Sequence, residues 1–309
     1  MADMIATRDS FSKVLVELGE KDNNIIAMNA DLSASTKTDA FEKRFPERFI
    51  NAGIAECNML GMAAGLAHCG KTVFASSFCM FASGRAFEII RNSIAHTHAN
   101  VKICASHAGL AVGEDGATHQ SVEDVAIMRD IPGMTVISPA DDVSARKLIK
   151  AAAAVKGPFY IRLGRAAAPV VYPEDTEFEI GKAVTVREGS DFTVISSGCM
   201  LETALAAADI LKEEGISVRV IDMHTIKPID EDAIVKAAVE TKGIVTVEDH
   251  SVIGGLGSAV AEVLCAKAPA RLRTVGIRDC FGESGKPAQL YEKYGLTAAD
   301  VAAAVRSLK

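Results

Sequence analysis

Along most of its length the chain alternates short β-branched runs with longer Ala- and Leu-rich amphipathic segments. The pattern predicts strands at Asn24–Met28, Phe49–Ile54, Val73–Phe78, Val101–Ser106, Thr135–Ser138, Phe159–Leu163, Phe192–Ser196, Val218–Met223, Gly243–Glu248 and Arg273–Arg278. Helical spacing falls between them at Glu56–His68, Ser121–Arg129, Ala140–Ala154, Leu201–Glu214 and Leu256–Lys267. Near-continuous apolar strands separated by helices predict buried, mainly parallel sheets with helices on both faces. The polar stretch Pro169–Glu179 lacks a helical period and interrupts this alternation. It divides the 309 residues into two expected three-layer α/β/α domains, residues 1–172 and 173–309.

Charge and cysteine usage exclude several classes. Asp plus Glu outnumber Lys plus Arg by 40 to 33, a net charge of −7, with no basic stripe to displace phosphate counterions. Nucleic acid is therefore not an expected partner. No apolar run approaches the roughly 18 residues that cross a bilayer, and Met1–Ser12 lacks the pattern of a secretory signal. Seven cysteines without CxxC pairs suit reduced thiols and a cytoplasmic protein.

Common catalytic motifs are absent: no GxxxxGK[ST] loop, no HExxH and no GxSxG elbow. Gly254-Gly255-Leu256-Gly257 opens a helix after a strand, but the third glycine of GxGxxG would fall on Val260. A tight turn is the better reading there. His96 and His98 have no nearby carboxylate or thiol in sequence, so no protein-only metal site is assigned.

Chemistry-bearing residues gather in three places. Four of the seven histidines lie between residues 96 and 119, and a strand runs into the loop His107–Gln120, which must lie at the carboxyl edge of its sheet. A helix starting at Ser121, with Asp124 completing a capping-box pattern, would set His119 at a helix N-terminus, where the dipole favours neutral imidazole. An incidental polar loop is the alternative. Glu56 opens a helix among Met59, Leu60 and Met62. It is equally an ordinary first-turn acid or a buried proton-sharing carboxyl. Phe78 and Phe81, three apart, offer either a flat face to a ring or simple core packing.

These residues stand in an order that resembles the transketolase family. Ala30-Asp31-Leu32, GIAECNMLGMAAGLA (53–67), SFCMF (77–81), SHAGLAVGEDGATHQSVEDVA (106–126) and RDIPGMTVISPAD (129–141) look like its pyrimidine-binding domain. DMHTIKPID (222–230) and VEDHSVIGGLGSAVAEVL (247–264) look like its C-terminal domain. The resemblance implies thiamine diphosphate as cofactor. Glu56 then matches the glutamate that hydrogen-bonds N1′ of the aminopyrimidine, Phe81 the aromatic that stacks on that ring with Phe78 beside it, and Asp31 and Leu32 the pocket lining. Asp115 and His119 match contacts to substrate hydroxyls, His119 also a catalytic role. Arg8, Ser35, His107 and Arg162 match the ligands of a substrate phosphate, a dianion that arginine binds with paired hydrogen bonds. One departure is Gly84, where many full-length transketolases carry a further aromatic.

The family also needs a GDG motif and a downstream Asn to hold the metal on the diphosphate. This chain has no GDG and no asparagine after Asn100. The expectation is half an enzyme: the C-terminal subunit of a split transketolase whose partner holds Mg²⁺ or Ca²⁺, assembled as a heterotetramer through a dimer interface and acting on ketose and aldose phosphates. A 2-oxoacid dehydrogenase β subunit, or a half like deoxyxylulose-phosphate synthase, shares the layout and the Glu. The phosphate-ligand set with GEDGATHQ favours sugar phosphates. A non-catalytic protein of this fold is the remaining alternative, and it leaves the joint presence of Glu56, Asp115, His119, Arg8 and Arg162 unexplained.

Overall fold

A computed structural model describes residues 3–309, and in it the apolar runs become interior strands. In chain order these are β1 (Ile25–Asn29), β2 (Phe49–Asn51), β3 (Thr72–Ser76), β4 (Val101–Ala105), β5 (Thr135–Ile137) and β6 (Phe159–Arg162). They are followed by β7 (Val184–Arg187), β8 (Phe192–Ser196), β9 (Val218–Asp222), β10 (Thr225–Lys227), β11 (Ile244–Ser251) and β12 (Leu272–Ile277). Every residue of β1, β4, β6, β8 and β9 is buried, as parallel strands covered on both faces must be.

Two main sheets result, of order β10-β5-β6-β4-β3-β1-β2 and β12-β11-β8-β9-β7, beside a two-stranded antiparallel pair of Met4–Ile5 with Ala168–Pro169. Neighbours are parallel except at one edge of each, where β10 runs antiparallel to β5 and β7 antiparallel to β9. The first sheet therefore takes a three-residue edge strand from the second half of the chain.

The main covering helices are α1 (Thr7–Lys21), α2 (Glu56–His68), α3 (Asp124–Asp130), α4 (Asp142–Ala154), α5 (Met200–Glu213), α6 (Glu231–Glu240), α7 (Leu256–Lys267) and α8 (Ala298–Arg306). Phe11, Val14 and Leu15 of α1 pack with Phe74, Leu148 and Ile149 on one face of the first sheet. Met59, Leu60 and Ala63 of α2 pack against Met28, Val73 and Ile103 on the other. Each of these residues is fully excluded from water, contributing on the order of 1.5–3 kcal/mol per large apolar side chain. All seven cysteines are free, among them the buried Cys79 and Cys104.

Two local expectations need correction. The helix after the His107–Gln120 loop begins at Asp124, not Ser121, and no side chain caps it. Asp124 is not available for a capping box because its carboxylate lies inside the protein, receiving bonds from Tyr160 and Arg162. Consequently His119 stands five residues before the helix and outside the reach of its dipole.

Candidate active site

The parallel strands of the first sheet all end on one side, where a ligand crevice is expected, and several of the residues that follow them meet there. Asp31 and Leu32 come just after β1, Glu56 after β2, Phe78 and Phe81 after β3, and His107 after β4. Asp31 and His107 both adopt left-handed backbone conformations, with φ of +61° and +62°. Such conformations are uncommon for non-glycine residues and concentrate where a site holds the chain under strain. At Asp31 the turn is held by side chains: Asn51 Oδ1 accepts from Asp31 N at 3.0 Å, and Asn29 Oδ1 from Leu32 N at 2.6 Å.

Aromatic rings form the floor. Phe78 and Phe81 stack with centroids 5.7 Å apart and planes inclined by 18°. His107 stacks on Phe78 at 3.7 Å, and His119 meets the Phe81 ring edge-on at 5.3 Å. Phe78 is buried while Phe81 is partly open to the crevice. Phe81 begins a π-helical segment, Phe81–Arg85, a rare helix form that is frequent at functional sites.

Glu56 is the first residue of α2 and is 1% exposed. Arg85 Nη1 donates to its Oε2 at 3.0 Å, and Ser77 Oγ lies at 3.5 Å from Oε1. This places a buried carboxylate at the edge of the Phe78–Phe81 floor.

A cationic group closes one end. Arg8 Nη1 donates to the Ser35 carbonyl at 2.9 Å and lies 3.5 Å from His107 Nε2. Burial, then the charges of Arg8, Arg165 and His119, push the His107 pKa down to about 3, so its ring stays neutral at ordinary pH. Its Nδ1 is 2.9 Å from Ser106 Oγ. Burial also lowers the pKa of Arg8, opposed by Asp9 and reinforced by Arg165, and Arg8 Nε has no partner. Asp115 ends the turn Leu110–Asp115 and is exposed, while Thr118 Oγ1 lies 2.9 Å from His119 Nδ1.

Arg162 does not belong to this cationic group. It is the last residue of β6 and 7% exposed. Its Nε donates to Asp124 Oδ2 at 2.8 Å, and its Nη2 to Asp124 Oδ1, Ser121 O and Asp249 O. A guanidinium held in this way braces the loops and leaves little for a substrate phosphate. Arg165, three residues later in the loop beyond the strand, stands near Arg8 and His107 instead. Its Nη1 donates to the Val112 carbonyl and is 3.8 Å from Glu114 Oε2. Residue order held the needed signal: an arginine still inside an interior strand is committed to the core, and one just past its carboxyl end reaches the crevice. Ser35 contributes its carbonyl to this arrangement through Arg8.

The glycine turn at 254–257 also has its physical explanation. The N-terminus of α7 is occupied by a side chain, Glu248, whose carboxylate accepts from Leu256 N at 2.6 Å and Gly257 N at 2.8 Å. A Cβ on Gly255 would lie 2.1 Å from Glu248 Oε2, so the glycine serves close approach of a protein carboxylate.

Taken together, the two sheets and this crevice define an α/β protein with a ring-stacking floor, a buried carboxylate and a cationic end. The family model described as transketolase, pyrimidine binding domain, matches residues 3–170, and that described as transketolase, C-terminal domain, matches residues 181–301. The chain belongs to the transketolase family. It is 52% identical over 96% of its length to a putative transketolase C-terminal section of Methanocaldococcus jannaschii, covering 93% of that protein. It is 45% identical over 97% of its length to a 6-deoxy-6-sulfo-D-fructose transketolase subunit of a Clostridium species, covering 94% of it. Among solved structures it is similar to a split-gene transketolase described as an inactive β4 tetramer, with a TM-score of 0.92, 53% identity and 98% of each chain covered.

Proposed function

We propose that this chain is the C-terminal subunit of a thiamine-diphosphate-dependent transketolase, moving a two-carbon ketol unit from a ketose phosphate to an aldose phosphate. In this reading it works only with a separate subunit that carries the diphosphate and its Mg²⁺ or Ca²⁺. The observation that carries the reading is the convergence, at one edge of the first sheet, of Glu56 and the Phe78–Phe81 pair with Arg8, His107 and Arg165. The absence of GDG…N, and full-length similarity to proteins described as a C-terminal section and a subunit, support the need for a partner.

The residues present fit an aminopyrimidine: an aromatic face partly open to the crevice, with a buried carboxylate at its edge, provides stacking and one directed hydrogen bond. Phe81 would hold the ring, Asp31 and Leu32 would border it, and Glu56 would hold the proton at N1′. When bound, thiamine supplies the thiazolium carbon that takes up the two-carbon unit. Arg8 and Arg165 would bind the sugar phosphate, and neutral His107 would donate or accept a hydrogen bond without adding charge. His119 and Asp115 would contact the hydroxyls near the reacting carbon.

The test combines the chain with a second polypeptide carrying GDG…N, thiamine diphosphate, Mg²⁺ and xylulose 5-phosphate, with pyruvate in a parallel assay. Ketol transfer in the mixture and none from this chain alone is the expected result. Activity of the chain alone would sink the subunit reading, and turnover of pyruvate in preference to the sugar would move it to the 2-oxoacid enzymes.

A further inference from the structure

Glu56 is a buried carboxylate with one close cationic neighbour. Its exposure is 1%, Arg85 Nη1 stands 3.0 Å from Oε2, and the Ser77 hydroxyl reaches only 3.5 Å from Oε1. A carboxylate in such a place without a partner is costly, so something must stand against it. Arg85 is otherwise lightly held. Its side chain is 52% exposed, and among the described residues its guanidinium makes no hydrogen bond other than that to Glu56.

The same guanidinium lies over the Phe81 ring, with Cζ 5.4 Å from the centroid. The backbone makes this reach possible. Phe81 and Arg85 stand four apart in the π-helical segment Phe81–Arg85, and side chains four apart in a helical turn are neighbours. A guanidinium is planar, stacks on aromatic faces and donates N–H groups in its own plane. Those are the two contacts, stacking on Phe81 and an in-plane N–H to Glu56, that a thiamine aminopyrimidine would make here.

We propose that Arg85 is a positioning residue and a placeholder for the cofactor ring: in the subunit without cofactor its guanidinium fills the space between Glu56 and Phe81, and it swings outward when the ring enters. The inference rests on the function proposed above. Its side chain can leave toward solvent without disturbing the core, because half of it is already there. Glu56 then exchanges one N–H partner for another and is never left buried alone. The exchange also weakens apparent cofactor affinity by the fraction of subunits in which Arg85 is closed.

Two measurements test this, each with a different failure. In the free chain, ¹⁵N NMR of the Arg85 guanidinium should show restrained rotation that Glu56→Gln releases. Free rotation in the wild type overturns the placeholder whatever the cofactor proves to be. In the complex with the second subunit, calorimetry with thiamine diphosphate and Mg²⁺ should show that Arg85→Gln, a neutral side chain of shorter reach, lowers Kd by about tenfold. An unchanged or raised Kd overturns the proposal, since Arg85 would then be a bystander or a cofactor ligand. Failure of both wild type and variant to bind thiamine diphosphate removes the proposed function and the placeholder with it. A restrained guanidinium would in that case show that the Glu56–Arg85 pair serves stability alone.

Discussion

The carboxyl ends of the two sheets are built alike and used in opposite ways. At the first, side chains face a crevice: Phe81 and His119 are partly open, Asp115 is exposed, and Arg85 reaches into solvent from the carboxylate it covers. At the second, the equivalent edge is filled with buried carboxylates held by protein groups, with Asp222 Oδ1 left without a partner. Asp222 receives the Tyr172 hydroxyl at 2.8 Å, and Asp249 receives Leu110 N and the Tyr291 hydroxyl, each at 2.9 Å. Loops from the first half of the chain pack against it, with Ser251 N donating to Val122 O and Gly198 N to Ser138 O, and leave a cavity lined in part by Ser138, Arg162, Gly198, Cys199 and Tyr291. Gly109 shows how closely the two halves approach there: with φ of +65°, a Cβ would sit 2.2 Å from Asp249 Oδ2. A crevice at the end of parallel strands is thus an opportunity rather than a site. It binds ligand only where no neighbouring domain has taken its polar groups, and Arg162 and Arg165 stand on the two sides of that division.

The largest expected effect breaks the open side alone. Glu56→Ala in the reconstituted enzyme should lower kcat by about 10²–10⁴-fold while the subunits still assemble. Equal rates for variant and wild type would remove Glu56 from the chemistry. On the other side, Asp124→Ala should cost about 3–5 kcal/mol in urea unfolding, because it strands Arg162 without its buried partner. A loss below about 1 kcal/mol would mean the guanidinium finds another anion. Arg165→Ala should leave folding intact and raise KM for the sugar phosphate by about 10–100-fold, the worth of a charged hydrogen bond. If KM stays put, the phosphate is held elsewhere.

The smallest effect is a contrast in pH slope. In the folded chain burial pushes Asp222 up to about 7, offset by its Tyr172 bond and reinforced by Asp141, against an ordinary value of 3.8. Between those values the folded state binds more protons than the unfolded, so stability falls as pH rises, by at most about 1.4 kcal/mol per pH unit. His107 works in the other direction. Its pKa of about 3, against 6.5 when unfolded, means that the unfolded state binds more protons between pH 3 and 6.5, and stability is lost as pH falls through that range. Urea titrations in pH steps should therefore show Asp222→Asn flattening the decline between pH 4 and 7, and His107→Asn flattening the acid-side loss. Superimposable profiles would show that neither group is shifted.

Much of the architecture was legible because interior parallel strands must be continuously apolar. Glu56–His68 and Leu256–Lys267 were read to the residue as helices, and Phe192–Ser196 as a strand. The positions of Glu56, Phe78 and His107 were legible for a related reason, since each follows a strand whose end could be recognised. What escaped were features decided by partners distant in sequence. The start of α3 depends on Arg162, 38 residues beyond Asp124, drawing that carboxylate inward. The edge strand β10 pairs with β5 from about 90 residues away, and three residues carry too little pattern to reveal such a pairing.

The sequence by itself determined the two mainly parallel sheets and the order of polar and aromatic residues along their edges, because burial and periodicity are local properties of residue type. Only the tertiary structure decided which charged groups remain free. Arg162 and Arg165 are the same residue three positions apart, and their difference lies in Asp124, Ser121 and Asp249 closing on one of them. Glu56 and Arg85 are 29 residues apart, and nothing in either segment tells that they meet. A charge must find a counter-charge or water, and which it finds is a matter of three-dimensional neighbours.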